Sequence, residues 1–425
     1  MTQPVPEPPQ LEGEEGAVPT PEVAAAELPA IELIDGIPDV VQESDALDES
    51  IAALLRGHGP IAVDAERASG FRYGQRAYLV QLHRRNGGTW LIDPVALPDL
   101  RALNSAIAGE EWILHAASQD LPCLRELGLE PTRLFDTELA GRLLGRERVG
   151  LGPLVESELG HHLAKGHGAA DWSTRPLPDA WRRYAALDVE VLPDLRDLLA
   201  ADLVASGKDA WATEEFAAVL AAPEPEPRRD PWRRTSGMHK VRGRRGLAVV
   251  REMWFARDDI AQQRDISPGR ILPDAAIIAA AQAVPQSSAA LADLPEFTRP
   301  GARRYLRRWS AALEAAREVP EDELPPTTLP GDGPPPPRLW ADRDPAAAAR
   351  LAAARQDLAA ISEQLNIPVE NLASPDAIRR LAWRPPEDVT PEGIDRVLYE
   401  SGARDWQREL LRDCLARAMT VSPPS

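Results

Sequence analysis

Ile61-Ala62-Val63-Asp64-Ala65-Glu66 is a short apolar run that reads as a buried strand and ends in two carboxylates on alternate positions. Alternation along a strand sends both acids to the same face. Like charges there repel and each is costly to desolvate, so the pair is tolerable only at a solvent-exposed end or beside a cation. An acidic strand end at the surface is common, and Asp-x-Glu alone does not decide between the two. The chain around it supplies the context.

Outward from that strand, strands and helices alternate over residues 31–220. The pattern predicts a strand at Ala30–Ile34, a helix at Asp45–Leu55 and a hairpin of Tyr78–Leu82 with Thr89–Ile92. A helix at Leu97–Ala108 follows, then a strand at Trp112–His115, a helix at Asp120–Leu127, a strand at Arg133–Phe135 and a helix at Asp136–Leu144. A long helical region runs from Pro178 to Leu220. A meander followed by β-α units implies an α/β fold with a mixed sheet flanked by helices. Residues 230–316 read as an all-α, strongly basic bundle, 317–340 as a Pro-rich unstructured linker containing Pro334–Pro337, and 341–419 as a second all-α bundle closer to neutral. Residues 1–30, rich in Pro, Glu and Ala, are expected to be a disordered acidic tail.

A length of 425 residues accommodates two to four domains, and 44% hydrophobic with 27% charged residues is the composition of a soluble globular protein. A net charge of -19 argues against a nucleic-acid partner, but residues 1–50 hold many acids and no Lys or Arg, so the total misdescribes the folded parts. Two distant cysteines, Cys123 and Cys414, suggest neither a disulfide framework nor a zinc site. No apolar run approaches a membrane span and no signal peptide is evident, so a cytoplasmic protein without a membrane partner is expected.

Two further segments bear acids in telling places. Asp120 follows the strand Trp112–His115 in the first turn of a helix, where an acid also simply suits the helix dipole. Tyr184 and Asp188 are four apart on a helix and share a face, so a phenol lies beside a carboxylate and the pair can hold a water; a Tyr packed at a core rim explains the pair equally well. Jointly, Asp64, Glu66, Asp120 and Asp188 make four carboxylates over one sheet edge, the oxygen-rich set that hard divalent cations require. Two such ions about 4 Å apart serve an in-line phosphoryl displacement.

The stretches VDAERASGFRYGQRAYLVQL, HAASQDL and YAALDVEVL, in this order, resemble the three exonuclease motifs of the DEDD superfamily in its tyrosine-bearing DEDDy branch. Asp171-Trp-Ser-Thr-Arg-Pro-Leu177 is similar to the ribonuclease D family in particular. Trp232-Arg-Arg with Ser236–Lys240, and Arg270–Asp274, resemble the HRDC helical domain that follows that nuclease. The likeness spans about residues 30–419 and implies an RNase H-like fold followed by two HRDC-like bundles. It also implies 3'–5' exonucleolytic hydrolysis of RNA to nucleoside 5'-monophosphates with two Mg²⁺ or Mn²⁺, in 3'-end processing such as tRNA maturation. Asp64, Glu66 and Asp188 are then the inner metal ligands, Asp120 completes the set directly or through water, and Tyr184 orients the attacking water. Ala65 stands where Thr is frequent, on the other face of the strand.

Asp136-Thr137-Glu138 is better read as a helix N-terminus than as another metal pair. Lys165 and Arg175 flank the acids and are candidates to grip substrate phosphates, with plain surface solvation the alternative. His161, His162 and His167 share a loop without a zinc-like pattern; His167 is a minor candidate for substrate contact, and His115 is most simply a hydrogen-bonded core residue. In the basic bundle, Lys240, Arg242, Arg304 and Arg308, with Tyr305 and Trp309 nearby to pack or to stack on bases, favour phosphate binding. The expected partner is the single-stranded 3' end of a structured RNA, the expected state a monomer. The rival readings are a DNA exonuclease with the same chemistry and a non-catalytic nucleic-acid-binding adaptor.

Overall fold

The computed structural model describes residues 28–422 apart from 165, 225 and 330–332; most of the acidic tail, and Lys165, lie outside the described residues. The first part of the chain runs β1 (Val40–Val41), α1 (Ser44–Arg56), β2 (His58–Arg67), β3 (Ala77–Arg85), β4 (Gly88–Ile92), α2 (Arg101–Ile107), β5 (Glu111–Leu114), α3 (Leu121–Glu126), β6 (Arg133–Asp136), α4 (Thr137–Leu143), α5 (Leu151–Leu154), α6 (Asp179–Glu190), α7 (Leu192–Ala205) and α8 (Asp209–Ala221). The six strands form one mixed sheet ordered β1-β4-β3-β2-β5-β6. The hairpin partners β2/β3 and β3/β4 are antiparallel, whereas β5 joins β2, and β6 joins β5, in parallel through helical crossovers. Central β3 is buried up to Arg84, and β2 from Ile61 to Glu66 apart from half-buried Asp64, because helices cover the sheet, with α6 packed on β2, β3 and β4 and α7 on β2 and β5.

Two local expectations are corrected. Ala30–Ile34 is not a strand: only an isolated bridge from Ala30 to His162 forms, and the edge strand is Val40–Val41, too short to show an alternation. The helix expected at Leu97 starts at Arg101, after Pro98. The helical region expected after Pro178 is present as three helices, separated at Val191, ahead of Pro193, and at Ser206-Gly207, where Gly207 takes φ 67°.

The basic bundle comprises α9 (Gly243–Arg264), α10 (Pro268–Ile271), α11 (Asp274–Ala283), α12 (Ser288–Ala292), α13 (Pro300–Arg304) and α14 (Leu306–Glu318). It buries Trp232, Phe297 and Trp309 in a core of its own. The Pro-rich segment after it is not free as expected: Leu324 is buried in that core, and the carbonyls of Leu324 and Pro326 accept from Arg244 and Arg233.

The final helices are α15 (Trp340–Arg343), α16 (Pro345–Leu365), α17 (Val369–Leu372), α18 (Pro375–Trp383), α19 (Pro391–Glu400) and α20 (Asp405–Met419). Their apolar interior is continuous with that of the sheet domain. Trp406 stacks on Trp211 at 4.9 Å between ring centroids, and its Nε1 and the Arg404 guanidinium both donate to Glu215. Lys208 donates from Nζ to the carbonyls of Leu143 and Leu365, tying the end of α4 to the end of α16.

Candidate active site

Asp64 and Glu66 project from the end of β2, opposite Gln81 and Leu79 of β3. The register slips after Glu66, and such a bulge re-aims the residue that follows it. That residue, Arg67, reaches Asp120 at 3.3 Å, where Asp120 stands at the start of α3 with no capping bond from its side chain. Asp188 comes from α6, one turn beyond Tyr184. Carboxylate oxygens of Asp64, Glu66 and Asp188 lie within 4.8 Å of one another. All four acids, Arg67 and Tyr184 line one cleft of about 370 Å³, walled also by Leu151–Pro153 and by residues of the loop 163–168. The structure thus brings together all five residues singled out in sequence, with Asp120 outside the tight trio and against Arg67.

Electrostatics say what the trio lacks. Burial raises the carboxyl of Glu66 to about 10, helped by the charges of Asp64, Asp188 and Asp120. Burial likewise raises Asp120 to about 8, the Asp64 charge adding to it, and it raises Asp64 and Asp188, the latter well above the carboxylate range. Arg67 pulls against this without reversing it. Three converging carboxylates so poorly compensated, with no imidazole or thiolate among them, fit a hard divalent cation with oxygen ligands.

A carboxyl whose pKa rises on folding binds its proton more tightly in the native state than in the unfolded chain. Its stabilisation is full below about pH 4 and is lost as pH climbs through the folded values of about 8 for Asp120 and about 10 for Glu66. A bound divalent cation takes the place of those protons. In chelator, then, the unfolding temperature should fall between pH 5.5 and 8.5, and saturating Mg²⁺ should raise it more at pH 8.5 than at pH 5.5. An Mg²⁺ increment that shrinks with rising pH would contradict this assignment.

The Tyr184 phenol is hydrogen-bonded to Asp188 and held protonated, chiefly by burial and then by the charges of Asp188 and Glu66. Its ring lies 6.4 Å from that of fully buried Trp172 and 5.7 Å, edge-on, from His167. His115 lines the cleft, hydrogen-bonded through Nδ1 to Thr137, and burial lowers its pKa to about 4, so it is neutral. Asp136 is a helix cap, as expected, accepting from the amides of Ala116, Ala117, Glu138 and Leu139. Two neighbours went unread in the sequence. Arg67 is visible only once the bulge turns it; Gln81, fully buried with neither amide atom partnered, was legible as the lone polar residue of Tyr78–Leu82.

The basic residues are corrected more heavily. Arg175 does not face substrate: its five N–H groups are bonded to both oxygens of Asp93 and to the carbonyls of Tyr78, Trp172 and Thr174. Asp93 is buried, and although burial raises its pKa, the bonds from Arg175 and Gln42 bring it below the ordinary value. Arg175→Ala should therefore destabilise the fold by about 3 to 5 kcal/mol, because it strands that charge, while leaving the RNA affinity of the folded protein unchanged; denaturant titration and a binding assay measure the two. In the helical bundle Lys240, Arg242 and Arg304 are exposed, Arg242 donating to the His239 carbonyl and Arg304 lying over the Tyr305 ring. Arg308 is exposed as well, with one guanidinium nitrogen paired with Asp259, whereas Trp309 is fully buried with its Nε1 on the Ala302 carbonyl, so it cannot stack on bases.

Comparison with known proteins matches three segments to family models. Residues 38–203 match the model of a 3'-5' exonuclease, 246–313 an HRDC domain, and 333–419 a 3' to 5' exonuclease C-terminal domain. The Ribonuclease D of Gluconacetobacter diazotrophicus is 31% identical over 364 residues, covering 83% of this chain and 89% of its own. A crystal structure of a protein from Bifidobacterium adolescentis is 37% identical with a TM-score of 0.85, over 93% of this chain and all of the other. That of Escherichia coli RNase D, described as an exoribonuclease involved in structured RNA processing, is 25% identical with a TM-score of 0.64, over 91% of this chain and 99% of the other.

Proposed function

The chain belongs to the ribonuclease D family and is a 3'–5' exoribonuclease, and from that premise we propose that Asp64, Glu66 and Asp188 hold two Mg²⁺ or Mn²⁺ ions, Asp120 completing the set. The observation that carries this is the convergence of three buried carboxylates from β2 and α6 within 4.8 Å. Bound divalent cations supply the charge that activates water and stabilises the leaving oxygen in an in-line displacement. Tyr184, protonated and anchored on Asp188, orients the attacking water. Arg67 holds Asp120 in place from the bulge. Water adds to the terminal phosphorus, the bond to the 3' oxygen of the preceding nucleotide breaks, that oxygen takes a proton, and a nucleoside 5'-monophosphate leaves.

The substrate we propose is the single-stranded 3' end of a structured RNA, as in tRNA maturation; the E. coli relative is described as involved in structured RNA processing. Exposed Lys240, Arg242 and Arg304 supply phosphate contacts for the RNA body. Lys165 belongs to the same proposal on sequence grounds alone. We place the enzyme in the cytoplasm as a monomer; no helix among the described residues is long and apolar enough to cross a membrane. Digesting 5'-labelled RNA and DNA of one sequence with Mg²⁺ or Mn²⁺ tests the reading. Stepwise shortening of the RNA with release of 5'-mononucleotides is expected; DNA degraded faster than RNA, or endonucleolytic fragments, would overturn it.

A further inference from the structure

The segment after the catalytic strand, Gly70-Phe71-Arg72-Tyr73, is held by the helical bundle and not by the nuclease sheet alone. The Ser267 amide donates to the Phe71 carbonyl at 2.9 Å, and Arg270 Nε donates to the Gly70 carbonyl at 2.8 Å. The Arg270 guanidinium lies over the Phe71 ring at 4.0 Å. Asp265 accepts from the Tyr73 amide at 3.3 Å and faces Arg72 and Arg76 at 3.8 and 3.9 Å, while the Tyr73 hydroxyl donates to Asp258 at 3.0 Å. Tyr73 packs against the bundle's core.

Three of these residues, Gly70, Phe71 and Arg72, face the active-site side as well. Phe71 packs in the small apolar cluster that contains Trp172, Ala185 and Tyr184. Arg72 Nε donates to Ser173 at 2.8 Å, next to Trp172. Gly70 and Ser69, with Gly168–Ala170 opposite, wall a second cleft of about 280 Å³ that shares Glu66 with the first. The bundle therefore touches the wall of this second cleft and, through Phe71, the apolar cluster against which Tyr184 also packs.

We infer that Asp265 and Arg270 of the first helical bundle are positioning residues for catalysis, fixing the 70–73 loop and through it Tyr184, in addition to any grip the bundle has on RNA. The inference rests on the reading of Tyr184 and the carboxylates given above. The two roles separate by charge and by substrate length. Asp265 is an acid and repels phosphate, so a bundle that acts only by holding RNA would bind it as well or better without that side chain. A dinucleotide has a single phosphodiester, the scissile one, and offers no RNA body to grip.

The test is steady-state turnover of a diribonucleotide by the full-length protein carrying Asp265→Gly, chosen because residue 265 has φ 49°, which glycine adopts without strain, and separately Arg270→Ala and Arg270→Lys. Each variant should lose about tenfold to a hundredfold in kcat with little change in KM and an unchanged Mn²⁺ midpoint, as small misplacements of catalytic groups do. Arg270→Lys keeps the charge but not the planar face, so it should not rescue. Circular dichroism should show native helix content at the assay temperature; Arg270→Ala, which leaves Asp265 in place as the C-cap of α9, decides if Asp265→Gly does not fold. Diribonucleotide kcat within twofold of the parent in the folded variants, alongside an inactive Asp64→Asn, would overturn this inference and spare the assignment of the site; an active Asp64→Asn would remove both.

Discussion

Asp64→Asn is expected to lower exonuclease turnover by at least about a thousandfold while leaving RNA binding intact or tighter. Asparagine keeps the size of the side chain but has one neutral oxygen where the proposed site needs a carboxylate oxygen for the cation. Losing the several kcal/mol of charge stabilisation that metal ions lend a phosphoryl transition state amounts to three or more powers of ten in rate. Affinity moves the other way, because a negative charge leaves the path of a polyanion. Stability should also rise in chelator, since burial and mutual repulsion raise the pKa of Glu66 in part through Asp64. Single-turnover decay of 5'-labelled RNA, filter binding and thermal unfolding give the three readouts. A variant that turns over at a tenth of the parental rate would remove Asp64 from the mechanism.

Chelation is expected to have an effect of the same size, and the choice of cation to be selective. Ca²⁺ sits at 2.3–2.6 Å in loose geometry, Mg²⁺ at 2.0–2.1 Å in a strict octahedron. The trio should therefore accept Ca²⁺ and bind RNA with it, yet turn over only when Mg²⁺ or Mn²⁺ is added after EDTA. Turnover that persists in chelator, or that Ca²⁺ restores fully, would show that the carboxylates act without the tight geometry attributed to them.

Much of the site was legible because its residues obey local periodicities. Asp64 and Glu66 share a face by the period of a strand, and Tyr184 and Asp188 by that of a helix, so the sequence reading carried those pairs onto single elements without knowing the fold. Asp120 was legible as an acid after a buried strand, but its partner was not: Arg67 meets it only because the register slips after Glu66. Charge roles were the least legible. Arg175 spends its donors on acceptors from three stretches of chain, at Tyr78, Asp93 and Trp172–Thr174, and Arg308 meets Asp259 from another helix. Such partners exist only after folding, and an arginine in a sequence looks the same whether it waits for a phosphate or is already satisfied.

The same distinction applies to the helical regions. Their apolar periodicity gave the helices, and the excess of Arg near 242–245 and 299–308 drew attention to the first bundle. Nothing local in Trp211 or Trp406 announced that they stack on each other, joining the last helices to the nuclease core.

The most direct measurement is an anomalous difference map from crystals soaked in Mn²⁺, collected at the manganese edge. The account predicts density between the carboxylates of Asp64, Glu66 and Asp188, lost in Asp64→Asn. Manganese bound elsewhere with that cluster empty, in crystals of protein that remains active with Mn²⁺, would contradict it.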